Sequence, residues 1–324
     1  MTAQDLVTMP RLGSPSIDPE GNLAVYSVTT TDPQTYERKS TLWLRSLVQE
    51  DAAPVRLNLE GSDARFEGDG WLYFLADDAD GGTDATSQVW RARIAPNGRV
   101  SGKVQVTDIA RGVNGFTVAK DGSRIAIWTD VARSCTQLDC NDSAKGYLPG
   151  PGDGRLYEGD GGLYRHWDNW ETPGTLSRVF VLPLRNGRAS GTGIPLDGPL
   201  GAGGPTGDTP TAPFGGTEDV AWAPDGSGVY FTAREAGRAE PYSTNLDIWF
   251  SDLSGGAPTN VTAANQALDA LPTPSPNGQY LAYVAMARPT YEADRQVVML
   301  RDLQTGTTTR FASTRKAARS RSST

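Results

Sequence analysis

Histidine is nearly missing from this chain: His166 is the only one among 324 residues, and cysteine is limited to Cys135 and Cys140. A zinc site built on those two cysteines would need two further ligands, so no metal and no cofactor is expected. The cysteines stand five positions apart, and that spacing fits a small disulfide loop or two reduced thiols in a hairpin equally well. No apolar run approaches the ~18 residues of a membrane span. The first residues, MTAQDLVTMPRLG, lack the basic-then-apolar order of a secretion signal, so the chain as written reads as cytoplasmic. Positive charge is also scarce, with 30 Lys and Arg against 38 Asp and Glu, a net charge of −8. Arg310, Arg315, Lys316, Arg319 and Arg321 crowd the end, which leaves residues 1–309 with 25 basic against 38 acidic residues, or −13. A body that acidic repels polyanions, so nucleic acid is not an expected partner.

What is present is turn-forming and aromatic: 37 glycines, 22 prolines, eight tryptophans and eleven tyrosines. That mixture excludes a helical bundle and a disordered chain. The length suits two ordinary domains or one large repetitive all-β unit.

A repeat decides between them. Asp18-Pro19-Glu20-Gly21, Ala119-Lys120-Asp121-Gly122, Ala223-Pro224-Asp225-Gly226 and Ser275-Pro276-Asn277-Gly278 each precede an alternating strand, and Glu67-Gly68-Asp69-Gly70 is a degenerate fifth. Proline presets φ, Asp, Glu or Asn tolerates the next corner, and glycine takes the left-handed position of a tight turn. The glycines lie 49, 52, 104 and 52 residues apart, a period of about fifty with one interval doubled. Further strands follow each turn, for example QVWRARI at 88–94, RVFVLPL at 178–184 and DIWFSDL at 247–253. Strand repeats at this period are those of propeller blades. The expected fold is therefore all-β: an incomplete β-propeller of about five four-stranded blades with TolB- or WD-like repeats. The blades are placed at 14–60, 64–109, 113–197, 219–263 and 271–312. Thr2 and Asp5 predict a capping box and one short helix before Pro10. The doubled interval holds an insertion at 142–174, and a Gly/Pro stretch at 198–216 links the third and fourth blades.

Several segments together resemble the N-terminal propeller of the prolyl oligopeptidase family of serine peptidases, in its bacterial dipeptidyl- or acylaminoacyl-peptidase branch. They are TAQDLVTMPRLGSPSIDPEG, SQVWRARI, the segment Arg165-His166-Trp167-Asp168-Asn169-Trp170, PFGGTEDVAW, STNLDI and the AMARP…YEADR stretch. The resemblance covers residues 3–312. It implies a peptidase as the parent function, a peptide as substrate, and a following α/β-hydrolase domain as partner. This chain departs from that pattern, because no serine has glycine at both −2 and +2 and a lone histidine cannot complete a triad. No catalytic residue is expected, and the chain is predicted to be inactive alone. Family propellers usually have seven blades, and family-like sequence gives way near residue 312 to ASTRKAARSRSST. The 313–324 tail is expected to be disordered or frame-shifted, and the chain truncated before its hydrolase domain. Longer relatives are often exported. The alternative function is a stand-alone propeller serving as a protein-interaction scaffold.

Candidate substrate-binding residues are few. Arg165, His166 and Asp168 form the densest polar–aromatic cluster, where Arg165 or Asp168 could pair a peptide terminus. Trp167 and Trp170 could equally cover an outer surface while His166 and Asp168 orient one another. Glu218 and Asp219, at the entrance to the fourth blade, could bind a free amine, although acids at strand starts are common. The acidic loop Asp77–Asp84 lacks the bidentate Glu of a calcium loop. The glycine-rich 198–207 stretch has no following Lys-Ser/Thr to cradle a phosphate. Tyr26, Tyr73, Trp128, Tyr230 and Tyr283 read as core, not as a ligand cage.

Overall fold

The computed structural model describes residues 1–49, 51–78, 85–132, 134–140, 164–166, 169–170, 174–199, 201–212 and 214–311. The basic tail 313–324, most of the 142–174 insertion, the 79–84 part of the acidic loop, Trp167 and Asp168 lie outside them. One helix, Ala3–Thr8, opens the chain. The Thr2 hydroxyl accepts from the Asp5 N–H at 3.1 Å, and the Asp5 carboxylate accepts from the Thr2 N–H at 2.7 Å. No helix among the described residues is long and apolar enough to cross a membrane.

Five antiparallel sheets follow in chain order. Sheet I contains Arg11–Leu12, Leu23–Thr31, Arg38–Ser46 and Val55–Glu60, with Ser16–Ile17 also pairing to Leu23–Thr31. Sheet II runs Ser62–Phe66, Leu72–Asp77, Ser87–Ile94, Val100–Gln105. Sheet III runs Gly115–Val118, Arg124–Ala132, Thr175–Arg185, Arg188–Ala189, with Ile194–Pro195 also on Thr175–Arg185. Sheet IV runs Val220–Trp222, Val229–Ala233, Asp247–Ser251, Thr259–Asn260, and sheet V runs Asp269–Pro274, Tyr280–Ala285, Val297–Asp302, Thr308–Arg310. Strands are hydrogen-bonded to their chain neighbours, so each sheet is a meander. Sheet I splits its first strand and sheet III its last.

The repeated turns join the first and second strands. At Gly21, Gly70, Gly122, Gly226 and Gly278 φ lies between +69° and +74°. The glycine N–H donates to the carbonyl three residues back, as from Gly226 to Ala223 at 2.8 Å. Only glycine takes that backbone without strain.

The sheets pack face to face through four clusters of buried side chains. Leu23, Val25, Leu42 and Leu44 of sheet I meet Leu72, Phe74 and Trp90 of sheet II. Tyr73, Leu75 and Val89 of sheet II meet Phe116, Ile125, Ile127 and Phe180 of sheet III. Ala126, Trp128 and Val179 meet Val229, Phe231 and Ala233 of sheet IV. Tyr230 and Ile248 meet Leu281, Tyr283 and Ala285 of sheet V. A closed ring of five sheets would need a fifth interface, and no cluster among the described residues joins sheet V to sheet I. The molecule is an incomplete propeller.

This arrangement corrects one reading of the strand pattern. Alternation suggests strands half-buried against solvent, yet Val229–Ala233 is buried at every residue and Arg124–Ala132 at all but two. Successive side chains there enter the two neighbouring interfaces. The alternating pattern survives on the second strand of sheet V, Tyr280–Ala285, where every other residue is only half-buried. The core aromatics also lie on second strands, not innermost ones. Tyr73, Trp128, Tyr230 and Tyr283 are buried, whereas Tyr26 sits half-exposed on the bare face of sheet I.

Sheet III carries a buried ion pair. Arg178, 1% exposed, donates from Nε to Asp197 Oδ2 at 2.7 Å and from Nη2 to Asp197 Oδ1 at 2.6 Å. It also donates to the carbonyls of Gly198, at 3.0 Å, and Cys135. Cys135 and Cys140 are disulfide-bonded, which resolves the alternative that their spacing left open. One guanidinium thus ties that loop and the start of the 198–216 connection to the sheet. Burial pushes the Asp197 carboxyl up, opposed by Arg178. Replacing Asp197 with Ala leaves a buried unpaired cation and is expected to cost about 3–5 kcal/mol in denaturant unfolding. The Arg178→Met, Asp197→Leu double variant should lose much less.

Glu67, in the first turn of sheet II, supplies a pH handle. Burial pushes its carboxyl up to about 8, with Arg65 and the Val118 N–H opposing and Asp69 and Asp63 assisting. A raised folded-state value means its contribution is full below the unfolded value, near 4.5, and is lost as pH rises through 8. Glu67→Gln is therefore expected to be more stable than the parent at about pH 9 and close to it at about pH 4, as read by thermal melts.

Candidate functional site

In a four-stranded meander the turns between strands one and two, and three and four, share one end. The connections between strands two and three, and between successive sheets, emerge at the other. That second, loop-bearing end therefore collects, among the described residues, 32–37, 134–140, 164–166, 169–170, 201–212, 214–219, 234–246 and 286–296. Arg165, His166, Glu218 and Asp219 all lie there. An open cavity of about 390 Å³ lies at the opposite end between sheets III and IV, lined by Arg124, Pro183, Asp225 and Leu253 among others.

Arg165–His166 and Asn169–Trp170 form a two-stranded hairpin inside the long insertion. The exposed Arg165 guanidinium lies 5.4 Å from the Trp170 ring centre, and Tyr164 lies 6.1 Å from the same ring. His166 meets Phe214 edge-on at 5.8 Å. Burial holds the imidazole below its usual range, helped by Arg234 and opposed by Glu292. Three loops therefore converge on His166. Arg234 is itself anchored, through Glu240 Oε1 at 3.7 Å and the Ala212 carbonyl at 3.2 Å.

Glu218 and Asp219 are separated by their environments. They share the 3₁₀ turn Thr217–Asp219, yet Asp219 is 3% exposed and Glu218 faces solvent. Asp219 Oδ2 accepts from the Thr211 hydroxyl at 2.8 Å and the Thr211 N–H at 3.2 Å. Burial pushes its carboxyl up, and the Thr211 and Thr232 hydroxyls pull it back. Asp219 thus fastens the 209–216 connection to sheet IV. A Cβ on Gly215 would lie 2.5 Å from the Thr211 backbone, so glycine is required for that approach.

The structure brings Arg165 and His166 together. Asp168 lies outside the described residues, and Glu218 stands on a separate turn at the same end. Phe214, Arg234 and Glu292 belong to the same surroundings and were not singled out from sequence. The available signal was a large aromatic in a polar, glycine-rich loop. Phe214, Tyr36, Tyr164, Trp170, Tyr242 and Tyr291 are all exposed at this end. No group of three or more His, Cys, Asp or Glu among the described residues is placed to hold a metal.

No family model matches the chain. It is 29% identical over 300 residues to dipeptidyl-peptidase 5 of Porphyromonas endodontalis, spanning 91% of this chain and 40% of that protein. With dipeptidyl-peptidase 5 of Porphyromonas gingivalis the identity is 26% over 324 residues, spanning 94% and 42%. Acylaminoacyl peptidase of Pyrococcus horikoshii superposes with a TM-score of 0.60 at 14% identity, covering 95% of this chain and 40% of that one. Prolyl oligopeptidase B from Galerina marginata superposes at 0.50 and 12% identity, covering 96% and 37%. At such identities the structural likeness is one of fold. The chain spans about two fifths of the length of these relatives. Through its row of sheets and a sequence likeness that runs nearly end to end, it resembles the N-terminal propeller portion of serine peptidases of the prolyl oligopeptidase family.

Proposed function

We propose that this chain is the non-catalytic, substrate-gating propeller portion of a serine exopeptidase of the dipeptidyl- or acylaminoacyl-peptidase type. A C-terminal α/β-hydrolase domain would supply the acyl-transfer chemistry, and a short peptide would be the substrate. One observation carries the reading. The likeness to dipeptidyl-peptidase 5 covers 91% of a chain with a single histidine and no Gly-x-Ser-x-Gly elbow. The bare faces of sheets I and V count against a stand-alone scaffold, which would need them covered.

At the loop-bearing end, Arg165 is the group suited to a peptide carboxylate and Glu218 to a free amine. Asp168, an acid, would suit a free amine, as Glu218 does. His166, held below its usual range, is neutral near pH 7 and can donate or accept without adding charge. Asp219 positions the turn that carries Glu218.

The purified chain is expected to release no chromophore from aminoacyl or dipeptidyl anilides. Turnover abolished by a serine-directed phosphonate would overturn the reading. Binding of a short peptide with a free N-terminus, followed by calorimetry, should weaken about five- to tenfold in Glu218→Gln, the loss of one charge-assisted hydrogen bond. Asp219→Asn should instead lower thermal stability.

A further inference from the structure

Sheets II, III and IV each tie themselves to the next sheet by the same backbone scheme. A residue at or near the start of the third strand offers its carbonyl to the incoming chain: Ser87 to the Val113 N–H at 2.7 Å, Ser177 to Thr209 at 2.9 Å, Leu246 to Asp269 at 2.7 Å. Two residues further along, the last strand closes on the third in the same way, from Val106 to Val89, Leu196 to Val179 and Val261 to Ile248. These bonds make Gln88, Arg178 and Asp247 equivalent positions. They do the same for Thr107, Asp197 and Thr262, and for Val113, Thr209 and Asp269.

The side chains at those positions differ in charge. Between sheets II and III the set is neutral: the Thr107 hydroxyl donates to Gln88 Oε1 at 2.8 Å, and Gln88 Nε2 donates to the Ile109 carbonyl at 2.8 Å. Between sheets III and IV the Arg178 cation meets the Asp197 anion. Between sheets IV and V stand two acids, Asp247 and Asp269, and among the described residues no ion pair reaches either. Leu246 and Leu268 form a parallel bridge, which sets the two following acids side by side on one face of it.

Their surroundings are arranged around oxygen. Asn260 Nδ2 donates to Asp247 Oδ2 at 2.9 Å, and Asn265 Nδ2 donates to Asp269 Oδ1 at 3.1 Å, so each carboxylate is oriented by an asparagine. Asp269 is 1% exposed, and its other oxygen, Oδ2, has no partner. Asn245 Oδ1 is likewise buried without a partner. The Thr262 hydroxyl donates to Asp247 Oδ1 at 3.4 Å and accepts from the Ile248 N–H at 2.9 Å. Asp247 is half-buried beside Asp269, and an unpaired carboxylate removed from water next to a second one is costly unless a counter-charge joins them.

We propose that Asp247, Asp269, Asn245 and Thr262 form a site for a hard divalent cation of the calcium class, which supplies the counter-charge that Arg178 supplies one sheet earlier. Asp269 Oδ2 and Asn245 Oδ1 have no partner, and Asp247 Oδ1 and the Thr262 hydroxyl share one long hydrogen bond; together they offer two carboxylate oxygens, an amide carbonyl and a hydroxyl, the ligand types such cations prefer. Asn260 and Asn265 hold the carboxylates in place, as supporting residues do around metal ligands. The site would lock sheet V onto sheet IV.

The test uses the full chain, stripped with a chelator and titrated with calcium chloride. Calcium at about 1–10 mM is expected to raise the melting midpoint by about 2 °C or more. Terbium in its place should give luminescence sensitised by the nearby Tyr283. Asp269→Asn keeps the shape and removes one charge. It should melt higher than the cation-free parent and lose both the calcium response and the terbium signal. A parent midpoint indifferent to calcium overturns the proposal, and so does a calcium shift that survives in Asp269→Asn. A midpoint that rises only as pH falls would mean that a shared proton holds the pair, and would overturn it equally.

Discussion

A β-sheet that is apolar on both faces must be covered on both, and that requirement organises this molecule. Phe74 and Tyr73 are neighbours in sequence, yet one packs towards sheet I and the other towards sheet III. The same division runs through Ala126 and Ile127, and through Tyr230 and Phe231. Each middle sheet is therefore held by the sheets before and after it, and burial of aromatic and branched side chains between them supplies the main stabilising term. The glycine turns contribute by returning each chain at a fixed length, so that successive sheets superimpose and their faces match.

The end sheets show what happens when the requirement is unmet. Ala282 and Val284 of sheet V pair with Leu300 and Val298 across strands, and all four lie on the face turned away from sheet IV. Val298 is 45% exposed. On sheet I the corresponding bare face carries Tyr26 opposite Trp43. Apolar residues left partly uncovered on a sheet face fit contacts with further protein. The proposal of a longer peptidase supplies such contacts, since the matched relatives extend well beyond the part that this chain spans.

The fold was legible because its signals are local. A Pro-Asp-Gly turn fixes backbone geometry within four residues, and its return at intervals of about fifty needs no knowledge of tertiary contacts. The helix at Ala3–Thr8 was legible for the same reason, from Thr2 and Asp5. Burial on both faces was not legible, because Val229–Ala233 reads alike whether its second face meets solvent or another sheet. The loop-bearing end was only partly legible. Arg165 and His166 drew notice as a dense polar–aromatic cluster, but His166 is set by Phe214, Arg234 and Glu292, which are 48 or more residues away in sequence. Glu218 and Asp219 look interchangeable as a pair, and only Thr211, folding back over one of them, makes the first a surface group and the second a fastening.

Charge shows the same limit. A count of histidine and cysteine finds no metal site, because such a count registers nitrogen and sulfur donors and passes over oxygen ones. Asp247 and Asp269 are 22 positions apart and unremarkable singly. They become a pair only when a parallel bridge aligns Leu246 with Leu268, and their pairing has meaning only beside its equivalents. Gln88 with Thr107 needs no counter-ion, and Arg178 with Asp197 carries its own. Where the repeat places one acid at the first of these positions and a second on the incoming strand, with no base between them, the balance must come from outside the chain. The repeat that was visible as turns in the sequence thus has a second layer of buried polar ties, and the tie that breaks its neutrality is the place where this propeller is set to take up a ligand of its own.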